Sequence, residues 1–239
     1  MAAFRTILTI AIAAAIGALI AVAPAQISAQ TAPGASAAQA AKMPPDVNPQ
    51  TSNRFAPVKR DDLDAAGKKI YDDHVAEKIN LSGGGPVALR MWDPPVAEHG
   101  HAMNQYLRNK AGLPPNIVEL VIITTTRELN APYEYSGHEP AALKAGVPPQ
   151  VVDAVRFRKP LTGLPEREAA VIELTREAIG QRKVSSATFA RAEKLFGRKA
   201  LVSMAALMGE YNAAAILLAV AGQEMPPGRP SLLPALGTR

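Results

Sequence analysis

The chain of 239 residues contains no cysteine at all. That excludes disulfide staples, thiolate metal sites, Fe–S clusters, a lipid-modified cysteine anchor and any thiol-based redox cycle run by the chain itself. Aromatic residues make up only 5%. No segment shows sustained period-two alternation of β-branched residues, so a sheet is not indicated. Charge is also unclustered. The net charge of +5 comes from scattered Lys and Arg, with runs no longer than pairs such as Lys68-Lys69. Without a basic stripe or a known motif, nucleic acid is not an expected partner. The glycines of "SGGGP" (82–86) follow no strand and precede no Lys-Ser/Thr, which makes them a loop and not a phosphate cradle. His99 and His101 are two apart and diverge on a helix, so no metal site is expected.

What is present begins with an apolar run. Arg5 precedes "TILTIAIAAAIGALIAVA", and small residues follow in "APAQ" and "ISAQ". Residues 1–29 read as a secretory signal peptide, which implies export to the periplasm. An uncleaved membrane anchor is the alternative. Residues 30–60 are rich in Ala, Gln, Pro and Ser without apolar periodicity, and read as a disordered linker. From Asp61 to about Gly222 the pattern is helical almost throughout, and one all-α domain is expected over 61–227, with 228–239 as a flexible tail.

Glycine and proline punctuate that domain. "AGLPPNIVEL" (111–120), "AGVPPQVVDAV" (145–155) and the looser "TGLPEREAAVIEL" (162–174) each set a Gly where a helix closes and a Pro where the next one opens. Helices are expected over about 61–78, 94–110, 115–129, 131–145, 149–157, 165–181, 186–196 and 198–222, with at most a short helical piece in 80–92. The last, "ALVSMAALMGEYNAAAILLAVAG", is apolar nearly all round but interrupted by Glu210 and Asn212. A domain of this size struggles to surround such a helix, so part of it is expected to face another subunit. Glu210, Tyr211 and Asn212 either line a pocket or bond across an interface.

The stretch "APYEYSGHEP" (131–140) carries the densest chemistry. On a helix Glu134 and His138 share a face, with Tyr135 at its edge. Glu119 and Arg127 lie on the preceding helix, eight residues apart and so near two turns. An antiparallel hairpin brings two acids, an imidazole, a phenol and a guanidinium together. Each residue also has an ordinary reading as a surface pair, a dipole partner or a packing group.

The block "ELVIITTTRELNAPYEYSGHEPAALKAGVP" (119–148) resembles the carboxymuconolactone decarboxylase-like, or AhpD-like, superfamily. That family is all-α, built on a helical hairpin, and assembles as trimers or hexamers. Its peroxidase branch carries Glu-x11-Cys-x2-Cys-x3-His. On this chain the acid and base positions fall on Glu119 and His138, and the two cysteine positions on Ala131 and Glu134. The chain therefore resembles the cysteine-free branch, with Arg127, Asn130, Ala131, Tyr133, Glu134, Tyr135 and His138 matching its local signature. The resemblance implies a cofactor-independent, homo-oligomeric enzyme doing acid–base chemistry on a small carboxylated or lactone-like substrate. His138, Glu119 and Glu134 are then the expected catalytic residues, and Arg127, Tyr133 and Tyr135 the expected substrate-binding ones. An exported binding or assembly protein without catalysis is the alternative. A thiol peroxidase is the least compatible reading, because its nucleophile is missing.

Overall fold

The computed structural model describes residues 43–234. Among the described residues eight α-helices follow one another: α1 (Ala65–Ala76), α2 (Pro86–Arg90), α3 (Pro94–Asn109), α4 (Pro115–Glu128), α5 (Pro132–Lys144), α6 (Pro149–Arg156), α7 (Glu166–Thr175) and α8 (Ser186–Ala221). Among the described residues there is no strand beyond one isolated bridge between Asn48 and Asn53. The all-α expectation holds, and so do most helix starts. Helices α2 to α6 each open on a proline at their first turn, where its missing N–H costs no hydrogen bond. Gly112 and Gly146 stand in the left-handed region (φ 86° and 93°) just ahead of two of those starts, a geometry only glycine adopts without strain.

Helix α4 is the axis of the molecule. Every residue from Ile117 to Arg127 is buried, and α5, α6, α7 and α8 pack around it. Its Leu, Ile and Val side chains each contribute roughly 1.5–3 kcal/mol through burial. The β-branched "IITTT" run is helical because it is buried on every side, and two of its three hydroxyls are satisfied within the helix while Thr125 Oγ1 is buried without a partner. Thr124 Oγ1 donates to the Leu120 carbonyl at 2.7 Å, and Thr126 Oγ1 to that of Ile122 at 2.9 Å. Helix α5 folds back on α4 through a three-residue turn in which Asn130 takes a left-handed conformation (φ 50°).

Helix α8 runs through Glu210 and Asn212 without a break. It bends instead at Gly197, whose φ of 77° and ψ of 162° are not helical. Two helices were expected there, and the joint falls where they were expected to meet. Among the described residues α8 alone is long and apolar enough to cross a membrane, yet Met204, Leu207, Met208, Tyr211, Ala214 and Leu218 are buried in the fold. Val202, Ile216 and Val220 are exposed.

Three expectations need correction. The linker 30–60 was read as disordered, but from residue 43 onward the chain is packed. Asn53, Ser52 and Thr51 are buried, Arg54 N–H donates to the Ala221 carbonyl at 2.8 Å, and Glu224 N–H donates to that of Ser52 at 2.7 Å. Gln223 is the knot: its Nε2 donates to the carbonyls of Thr51 and Ser52, and its Oε1 accepts from Asn53 and from the Gly85 N–H. Polar composition hid a segment fixed by hydrogen bonds instead of by an apolar stripe. The tail from 228 is likewise anchored as far as it is described. Leu232 N–H donates to Ser136 Oγ at 2.9 Å, and Leu233 is buried. The helix expected over 165–181 ends at Thr175 and gives way to a π-helical turn, Arg176–Gln181. The expected signal peptide lies outside the described residues.

Candidate functional site

The α4–α5 hairpin brings Glu119 and His138 together across nineteen residues of sequence. Glu119 Oε2 lies 2.8 Å from His138 Nδ1, and the other oxygen, Oε1, accepts from Arg108 Nη2 of α3 at 2.7 Å. An Arg108–Glu119–His138 chain results. On the far side of the ring, His138 Nε2 lies 3.6 Å from Glu134 Oε2, one turn earlier in α5. Tyr211 of α8 stands edge-on to the imidazole, with ring centroids 5.0 Å apart.

These groups face a cavity of about 260 Å³. Its wall takes Tyr133, Glu134, Gly137 and His138 from α5, Arg108 from α3, Glu210 and Tyr211 from α8, Arg90 from α2 and Arg229 from the C-terminal segment. The volume sits just below the roughly 300–1,000 Å³ common for ligand pockets, which suits a small molecule. Arg90 Nη2 and Glu210 Oε1 form an ion pair at 2.8 Å with both side chains close to nine-tenths buried. Arg229 lays its guanidinium over the Tyr133 ring, 4.2 Å from the centroid.

The two carboxyls beside His138 are driven apart. Burial works to raise the Glu119 pKa, but the hydrogen bond and charge of His138, with Arg108 behind, outweigh it and hold the group below its ordinary value. Glu134 is raised, chiefly by burial, and the charges of His138, Arg90, Arg229 and Arg108 only partly offset that. Its place in the first turn of α5 favours the anion, and burial still wins. Glu134 Oε1 is buried with no hydrogen-bond partner. Burial also raises the phenols of Tyr211 and Tyr133. A pair of carboxyls with opposite shifts flanking one imidazole is the arrangement that separates a fixed anion from a proton carrier.

Of the six residues singled out from sequence, Glu119 meets His138 directly, and His138, Glu134 and Tyr133 line the cavity. Arg127 and Tyr135 do not line it. Arg127 Nε donates to the Arg156 carbonyl at 2.8 Å on another side of the hairpin, and Tyr135 is fully buried in the main core. Eight residues along a helix leave Arg127 about 80° round the axis from Glu119, so the two do not share a face. Around Arg127 lies a separate set of pairs, Arg156 with Glu139 and Arg158 with Glu128. Sequence reading missed Arg90, Arg108 and Arg229 as site residues. No local spacing ties them to α5. Of the three residues that interrupt the apolar run of α8, Glu210 and Tyr211 line the cavity and Asn212 does not.

No protein-family model matches the chain, and no curated protein does. Solved structures do match, among them the alkylhydroperoxidase AhpD core, an uncharacterized peroxidase-related protein from Ralstonia eutropha JMP134. The match has a TM-score of 0.58 at 15% sequence identity, and spans 74% of this chain and 93% of that one. The fold is therefore AhpD-like.

Proposed function

We propose that the chain is a cofactor-independent, carboxymuconolactone decarboxylase-like enzyme that performs acid–base chemistry on a small carboxylated or lactone-like substrate. The observation that carries this reading is His138 fixed by Glu119 on one nitrogen and facing the buried Glu134 with the other. The neighbour's printed name points to peroxide chemistry, but a thiol route needs cysteines that these 239 residues lack.

In the proposed reaction the substrate's carboxylate leaves as CO2. The electron pair of the broken C–C bond passes into the adjacent unsaturated lactone as a dienolate. His138, held by Glu119, delivers a proton to the carbon end of that dienolate, and Glu134, the carboxyl that holds its proton more tightly, re-protonates the imidazole. The phenol of Tyr133 on the cavity wall donates a hydrogen bond to the enolate oxygen. Such proton transfer contributes typically ~10²–10⁴ in rate. The exposed Val202, Ile216 and Val220 on α8 support the accompanying proposal of a homo-oligomer, which sedimentation velocity tests.

The direct test is CO2 release from a panel of unsaturated lactone carboxylates by wild-type protein and by His138→Gln. The expected result is turnover by the wild type and a fall of at least roughly a hundredfold in the variant. Equal turnover by both removes His138 from the chemistry.

A further inference from the structure

The cavity wall carries three guanidinium groups, and two of them are already matched. Arg90 pairs with Glu210 at 2.8 Å, and Arg108 bonds Glu119 at 2.7 Å. Arg229 differs. Among the described residues no carboxylate lies within 4 Å of it. Its Nε is buried without a partner, and its one hydrogen bond runs from Nη2 to the Tyr133 carbonyl at a long 3.4 Å. Glu134 feels its charge but stands beyond ion-pair range. A guanidinium at a cavity wall whose Nε–H is buried without a partner is available to a group of opposite charge.

The side chain is nevertheless held in place. Its face rests on the Tyr133 ring, and its backbone is fixed three residues on by the Leu232–Ser136 bond and then by the buried Leu233. A planar fork fixed in orientation at the wall of a small cavity suits a carboxylate, which it grips through two parallel N–H···O bonds.

We propose that Arg229 is the clamp for the substrate's carboxylate, so that the site takes small organic monoanions and passes over their neutral esters. This rests on the acid–base reading for its substrate class but concerns binding, and the two are tested apart. Arg229 takes the substrate-binding role that the family resemblance implied for Arg127.

The experiment is titration calorimetry of the full chain with acetate, benzoate, 5-oxotetrahydrofuran-2-carboxylate and the methyl ester of the last. Wild type, Arg229→Gln and Arg229→Lys are compared, each checked for folding by circular dichroism. The expected result is binding of at least one acid by the wild type, weakened about tenfold to a hundredfold in Arg229→Gln. Arg229→Lys should fall between, because it keeps the charge and loses the fork, and the weaker binding of the ester should not change. If Arg229→Gln does not fold, selective loss of acid over ester in Arg229→Lys decides the matter. Unchanged acid affinity, equal weakening of acid and ester, or no acid bound by the wild type at millimolar concentration each overturns the clamp. Acids held through Arg229 by a wild type that turns over no lactone carboxylate leave the clamp standing and remove the catalytic reading alone.

Discussion

Glu119 and Glu134 sit against opposite nitrogens of one imidazole, at 2.8 Å and 3.6 Å, and their proton affinities are displaced in opposite directions. Glu119 has a hydrogen-bonding partner on each oxygen, His138 on one and Arg108 on the other. Glu134 is sealed in the cavity wall with one oxygen unbonded. The difference is the ground on which the proposed reaction uses Glu119 as fixed anion and Glu134 as proton holder.

Stability should record this asymmetry. Glu134 has a folded-state pKa above its unfolded value, so the folded protein holds the extra proton. Its contribution is fully present below the unfolded pKa and is lost as pH rises through the folded one. Glu119 behaves oppositely: its contribution is present above the unfolded pKa and is lost as pH falls through the lower folded value. Glu134→Gln should therefore raise the melting temperature at neutral pH, with a gain that shrinks towards pH 4. Glu119→Gln should lower it at neutral pH. Thermal denaturation across pH 4–8 checks both, and a flat difference between wild type and Glu134→Gln contradicts the first.

Arg127 provides a contrast within the hairpin. Arg127→Gln should leave the rate of the proposed reaction at wild-type level while costing about 1–3 kcal/mol of stability, since its buried bond to the Arg156 carbonyl is lost. Parallel kinetics and urea denaturation separate the two effects. A drop in rate with stability intact would return Arg127 to the site.

The Arg90–Glu210 pair has little water around it. Arg90→Met should cost about 3–5 kcal/mol, because it strands the Glu210 carboxylate. Adding Glu210→Leu should recover most of the loss. Chemical denaturation of the two singles and the double completes the cycle, and additive losses would mean the two do not interact.

Gly197→Ala isolates a backbone cost. A Cβ there meets nothing within 4 Å, yet φ 77° and ψ 162° lie in a region closed to residues with side chains. The expected loss is about 1–3 kcal/mol with no change in ligand binding. An unchanged melting temperature would mean that α8 straightens freely at this point.

The prolines at 94, 115 and 149 made their helix starts readable, since each marks a first turn by its own chemistry, whereas the short helix opening at Pro86 lay in a stretch expected to be mostly loop. Glu119, Glu134 and His138 were readable for a related reason. Contacts across one tight hairpin are governed by short-range periodicity. Arg127 was misplaced because eight residues overshoot two turns of 3.6, and Tyr135 because its position next to Glu134 turns it about 100° away, into the core. Arg90, Arg108 and Arg229 reach the cavity from three distant elements. Only the packing of α2, α3 and the C-terminal segment on α5 reveals them, and no single-segment pattern encodes that. The segment 43–54 was misread because hydrogen bonds and not apolar spacing hold it.

The Gln223 knot bears on the order of assembly. It joins groups up to 172 residues apart, whereas Glu119 and His138 are separated by 19. Bringing the ends of the longer loop together costs about 2 kcal/mol more in chain entropy. A refolding chain thus acquires its proton-handling pair early, inside a local hairpin, and gathers the Arg229 end only once the far ends of the helical body have met. Amide protons at 52–54 and 221–224 should accordingly gain protection after those of the hairpin, with the proposed Arg229 clamp the last part of the site to form.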